Sequence, residues 1–239
     1  MFGYVRLEVR RALRDKGFVI FGVGMPVLMY LLFTNLGEGS DGEWKTASMV
    51  GMAAYGALGA ALGTGTGVSE DKSIGWLHQL RVTPLSPRAV VLGRALTGSV
   101  TVLPAILAVL AAGGLVNGVR MALWQWPVLG LLLWLGALPF TLLGIGNGYR
   151  LSAQTTGVVN VACNLGLAVV GGLWFPADAF PGWLRSVSQY TPASRFADLG
   201  WSTTTGSAPG MLTVTVLLAW LLVFALYATY AYRRSARTL

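Results

Sequence analysis

The sequence predicts an all-α fold, a polytopic membrane protein with six transmembrane helices, on three observations. Of its 239 residues 54% are hydrophobic and only 11% are charged, where a soluble domain carries roughly 25% charge. The mean hydropathy is +0.63. The charged residues are also gathered into a few places, leaving six runs free of Asp, Glu, Lys and Arg, each long enough to cross a bilayer at about 20 residues per span. In lipid a chain satisfies its backbone only as a helix or within a closed barrel. These runs lack the strict alternation of barrel strands, so they read as helices. The same composition excludes disorder, which needs high charge and few apolar residues. It also argues strongly against a soluble enzyme, whose surface so few charges could not cover.

Taken in order, residues 1–16 read as an amphipathic interfacial helix. Val5, Val9, Ala12 and Leu13 recur at helical spacing, and Arg6, Arg10, Arg11 and Arg14 fall between them. That segment either anchors the chain on the basic side of the membrane or also touches a cytoplasmic partner. The first span, about 17–37, exceeds the apolar length of a cleaved leader and is read as retained. A loop carrying Glu38, Asp41 and Glu43 leads to the second span, 46–69, where Gly59, Gly63 and Gly67 recur every four residues. Small residues at that spacing let a second helix approach closely.

The next loop, 70–94, is too apolar for a mere hairpin connection. Ile74, Leu77 and Leu80 stand three residues apart, and Pro84 and Pro87 then interrupt any helix. A short helix with an apolar stripe is expected over 71–81, and such a stripe needs something to dock on.

The third span, 95–119, contains Pro104, and the fourth, 124–149, contains Pro139 and Asn147; these are read as kink or contact sites. In the fifth, 151–176, Asn160 and Asn164 share one face. They either bond neighbouring helices or line a polar translocation path. In the segment before the last span, Pro176, Pro181 and Pro192 break one helix into pieces, and Trp183, Tyr190 and Trp201 suit a membrane interface. The last span is 210–232. Together the elements make a single transmembrane domain over 1–239.

Basic residues orient the spans. Thirteen of the 17 Lys and Arg lie in the N-terminal segment, the 70–94 loop, at Arg150 and in the tail; Lys45, Arg120, Arg185 and Arg195 lie on the other side. Both termini are therefore expected in the cytoplasm. The net charge of +8 is read as this topology signal rather than as a nucleic-acid surface.

Several chemistries lack their residues. There is no GxxxxGK[ST] phosphate loop, and Gly63-Thr-Gly65-Thr-Gly67 lacks its lysine and lies in a span. The lone His78 and lone Cys163 make neither a metal site nor a disulfide. The spans hold no ionisable Asp, Glu, Lys or Arg, which argues against a self-contained proton or sodium pathway. No catalytic or metal residue is assigned, and energy for uphill transport is expected from a partner.

The 70–94 loop carries a resemblance. Asp71-Lys72, Gly75, Leu77, Leu80, Thr83-Pro84-Leu85-Ser86 and Gly93-Arg94 are similar to the cytoplasmic loop of type-2 ATP-binding-cassette (ABC) exporter permeases, with Trp76 where that family usually has Thr. Phe175-Pro176, Pro181-Gly182-Trp183-Leu184 and the run 191–198 resemble the family's two short segments before the last span. The resemblance covers nearly the whole chain.

It implies a coupling helix at which Asp71, Lys72, Gly75, Leu77, Leu80 and Pro84 meet a separate ATPase subunit, with ATP and magnesium held there and no cofactor in this chain. It implies a homodimeric permease in a bacterial plasma membrane, outer-leaflet re-entrant helices, and an external gate including Phe175, Pro176, Pro181 and Trp183. Helices one, two and five would flank the path, with Asn160 and Asn164 as candidate lining. Without charge in the spans, the expected cargo is a hydrophobic or amphipathic compound such as a drug or antibiotic; a lipid-linked glycan or lipid is the alternative. A reading from another class is a channel or scaffold that works without ATP.

Overall fold

The computed structural model describes residues 17–35, 41–74, 87–174 and 180–237. All regular structure among them is helical: α1 Phe18–Gly24, α2 Met25–Asn35, α3 Gly42–Ser73, α4 Pro87–Val100, α5 Leu103–Leu115, α6 Gln125–Gly136, α7 Leu138–Arg150, α8 Ala153–Val170, α9 Gly182–Ser188, α10 Pro192–Thr204 and α11 Met211–Arg237. Among the described residues, five apolar helical stretches are long enough to cross a membrane: Gly42–Ser73, Val90–Leu115, Gln125–Arg150, Ala153–Val170 and Met211–Ser235. The first expected span appears as a shorter apolar stretch, Gly22–Asn35. Before it, α1 has the wide π-helical turn, and the Met25 amide reaches back to the Ile20 carbonyl. Pro26 lacks an N–H, so the regular ladder is interrupted there and the preceding turn widens.

Prolines also break two of the long spans. Between α4 and α5 the chain makes tight i→i+3 turns, with Val102 N donating to Ser99 O at 3.2 Å, and Pro104 opens α5. Between α6 and α7 the break falls at Ala137, and Pro139 opens α7. The kink reading of both prolines matches this geometry.

α3 is the central helix, packing on α2, α5, α7 and α8. Its core positions are mostly small: Ala53, Ala54, Ala57 and Ala61 are all 0% exposed. The close approach expected of Gly59, Gly63 and Gly67 falls on a different face. Nothing lies within 4 Å of a Cβ built on Gly63 or Gly67, and one on Gly59 meets the Asn164 side chain. The backbone-to-backbone contact is made instead by Gly65 with Gly144 and Gly148 of α7, where any Cβ would strike a facing carbonyl. Residues 63 and 65 differ by about 200° around a helix, so a four-residue repeat cannot say which of two opposite small-residue faces meets the neighbour.

Three further expectations are refined. α3 runs four residues past the end of the predicted span, and Asp71, Lys72 and Ser73 form its last turn rather than opening a new helix. The short segments before α11 are helices α9 and α10, the latter capped by Thr191, whose hydroxyl accepts from Ser194 N at 3.3 Å. α10 lies along α6: Gln125, at the start of α6, donates to Thr203 O at 2.8 Å, while Gly136, at its end, faces Phe196. α10 therefore follows about 16 Å of the bundle.

Candidate functional site

The segment 75–86, on which the coupling residues Gly75, Leu77, Leu80 and Pro84 fall, lies outside the described residues. Its two ends do not. Asp71 in the last turn of α3 forms an ion pair with Arg94 of α4, so the base of the connection is clasped. Both side chains are about a quarter exposed, at 25% and 28%. Lys72, the next residue, points to a different neighbour. Its Nζ donates to Tyr149 O at 3.1 Å and Leu151 O at 2.6 Å. These carbonyls end α7, where the helix leaves acceptors without intrahelical partners and the dipole favours a cation.

The start of α8 is fixed at the same corner. Ser152 accepts from Thr155 N at 3.4 Å, and Thr156 Oγ1 donates to Ser152 O at 2.8 Å. Asp71 and Lys72 thus tie the end of α3 to the middle of α4 and to the end of α7, next to the start of α8. The two charges expected to face a partner, Asp71 and Lys72, are engaged inside the chain. Their position beside the loop comes from the sequence motif; their bonding partners, 23 and 79 residues away, left no signal in it.

Asn160 is 5% exposed and both halves of its amide are used. Its Nδ2 donates to Leu62 O at 2.8 Å, its Oδ1 accepts from Asn147 Nδ2 at 2.9 Å, and Asn147 Oδ1 accepts from Tyr227 at 2.9 Å. The chain of bonds joins α3, α8, α7 and α11. Of the two readings of Asn160, interhelical bonding is the one this geometry satisfies. Asn147 was a contact candidate from sequence; Tyr227 carried no signal. Asn164 is different: its Oδ1 is buried without a hydrogen-bond partner among the described residues, and its amide lies beside Gly59. The α8 face bearing Val158, Val161, Leu165 and Val169 is exposed.

Of the external-gate residues, Phe175 and Pro176 lie outside the described residues. Pro181 precedes α9 at its N-terminus, and Trp183 is 71% exposed. The interfacial-helix residues Arg6, Arg10, Arg11 and Arg14 also lie outside the described residues. No group of His, Cys, Asp and Glu among the described residues could hold a metal.

The ABC-2 type transporter family model matches residues 4–200. A protein of Bacillus subtilis (strain 168) named "Putative transport permease YvfS" is 28% identical over 232 residues, covering 95% of this chain and 94% of its own length.

Proposed function

This chain belongs to the ABC-2 type transporter family, and from that premise we propose that it is the membrane subunit of an ATP-driven exporter. It works as a homodimer in a bacterial plasma membrane, with both termini in the cytoplasm. Two copies of a separate ATPase bind ATP and magnesium and dock on the 75–86 segment and the N-terminal helix. The observation that carries the proposal is the clasped base of that segment. Asp71–Arg94 and Lys72 with the Tyr149 and Leu151 carbonyls fasten the end of α3 to α4 and to the end of α7. A push on the segment is then delivered to α3, α4 and α7 as a unit. A passive channel or scaffold has no need of such a fastening.

The cargo is a hydrophobic or amphipathic compound of the drug or antibiotic kind. The long spans carry little charge, and their buried polar side chains are amides and hydroxyls, which suit a neutral or weakly polar cargo.

The test is reconstitution of the full chain with an ATPase subunit encoded beside it, reading drug-stimulated ATP hydrolysis and export. Stimulation that is lost in Leu77→Asp with Leu80→Asp is the expected result. Export unchanged in that variant, or an ATPase that never associates, overturns the coupling claim. Stimulation by lipid-linked sugars and by no drug moves the cargo to a glycan.

A further inference from the structure

At the end of the bundle opposite Lys72 and Arg94 lies an open cleft of about 1140 Å³. Its walls come from the start of α3, the link between α5 and α6, the turn after α8 and the end of α10. They are pinned by hydrogen bonds. The Trp44 indole donates to Phe33 O at 3.2 Å, the Trp201 indole to Ala47 O at 3.1 Å, and Gln125 to Thr203 O at 2.8 Å. Trp174 stands edge-on to Tyr55 at 5.2 Å. Gly172, at φ 71°, turns the chain into the wall after α8.

Two cations line this cleft, Lys45 and Arg120, and neither has a carboxylate within 4.0 Å among the described residues. Gly42, Glu43, Trp44 and Lys45, the first turn of the 32-residue α3, line the same space, and Asp41 before them makes no side-chain cap bond. Cations without a carboxylate partner among the described residues, beside a helix N-terminus without a side-chain cap, attract an anion with several acceptor oxygens. Three tryptophans on the same walls suit an apolar body with a polar tip at the membrane edge. Glu43 on the rim sets a limit: a second negative charge on the ligand would be repelled.

From this arrangement we infer that the cleft is a binding site for a singly charged phosphate group carried on an amphiphile, the phosphate held by Lys45 and Arg120 and the apolar part resting on Trp44, Trp174 and Trp201. The site lies away from the clasped loop base and needs neither nucleotide nor a transported drug. Its test therefore stands or falls separately from the exporter reading.

The experiment uses the purified full chain in detergent, with short-chain phosphatidylglycerol brominated on its acyl chains and quenching of tryptophan fluorescence as readout. Brominated diacylglycerol with the same chains is the uncharged comparison, and inorganic phosphate the competitor. Saturable quenching by the phospholipid, at least tenfold tighter than by diacylglycerol, is expected. Lys45→Gln and Arg120→Gln should each weaken it about tenfold, the loss of one charge-assisted contact. Neither side chain makes a hydrogen bond or ion pair among the described residues, so the variants keep the parent's melting temperature. Glu43→Gln should tighten binding, and Trp174→Phe should lower the quenching amplitude. Displacement by millimolar phosphate assigns the site to a free phosphate group, and resistance to it assigns it to a lipid headgroup. Equal quenching by both lipids, or quenching that Lys45→Gln with Arg120→Gln leaves unchanged, overturns the inference.

Discussion

The Lys72 ammonium, in the last turn of α3, donates to the carbonyl of Leu151, 79 residues further along, at 2.6 Å. The bond places one flexible cation at the end of α7, where backbone acceptors are otherwise unpaired. Lys72→Met keeps the length of the side chain and removes the donor. It should cost about 1–3 kcal/mol of stability, read as a lower melting temperature in detergent, and Lys72→Arg should restore most of it.

The Asp71–Arg94 pair is partly solvated, so its contribution to stability is small, about 0.5 kcal/mol. Its effect belongs to coupling. Asp71→Asn or Arg94→Gln should leave the melting temperature nearly unchanged while lowering substrate-stimulated ATP hydrolysis. The exchanged pair, Asp71→Arg with Arg94→Asp, should recover part of it. Unaltered stimulation in both single variants would show that the clasp transmits nothing.

Asn160 holds two bonds inside the bundle, to Leu62 O and Asn147. Asn160→Leu removes both and leaves Asn147 Nδ2 without its acceptor. At about 0.6–2 kcal/mol per interhelical bond in a membrane protein, unfolding in mixed micelles should shift by about 1–4 kcal/mol. Tyr227→Phe deletes one bond and should shift it by about 0.6 kcal/mol. A double-mutant cycle between Asn147 and Asn160 should give a coupling energy clearly different from zero.

Gly65 and Gly63 sit two residues apart, yet they should respond in opposite ways. A Cβ at Gly65 strikes the Gly144 carbonyl, whereas one at Gly63 meets open space. Gly65→Ala forces α3 and α7 apart and should cost about 1–3 kcal/mol or more, visible as poor yield and a lowered melting temperature. Gly63→Ala should be tolerated or slightly stabilising in the isolated chain, since Ala favours helix over Gly by about 1 kcal/mol.

The helical class was legible at once, because every residue in a span contributes to the same hydropathy signal and lipid leaves the backbone few alternatives. The loop motif from Asp71 to Arg94 was legible too, since its residues are close in sequence and their types are unusual for a connection. Less legible was where the helices end. α3 runs on through Glu70, Asp71 and Lys72 because charged residues at the end of a span sit at the interface, where helix and water coexist. The second small-residue face of α3 was hidden for a similar reason: glycine is equally acceptable on a packed face and on an open one.

The sequence by itself determined that the chain is strongly apolar and helical, with its charged residues gathered into a few segments between long apolar runs. Those properties depend on composition and on order along the chain. The tertiary structure alone decided that Gly65 rather than Gly63 meets α7, that Lys72 and Asp71 are held within the chain, that Asn147, Asn160 and Tyr227 form one set of bonds, and that Lys45 and Arg120 share a cleft. Each of these depends on which faces of distant helices meet. A side chain's partner is set by helix rotation and crossing, which separations of 23 to 98 residues do not encode locally.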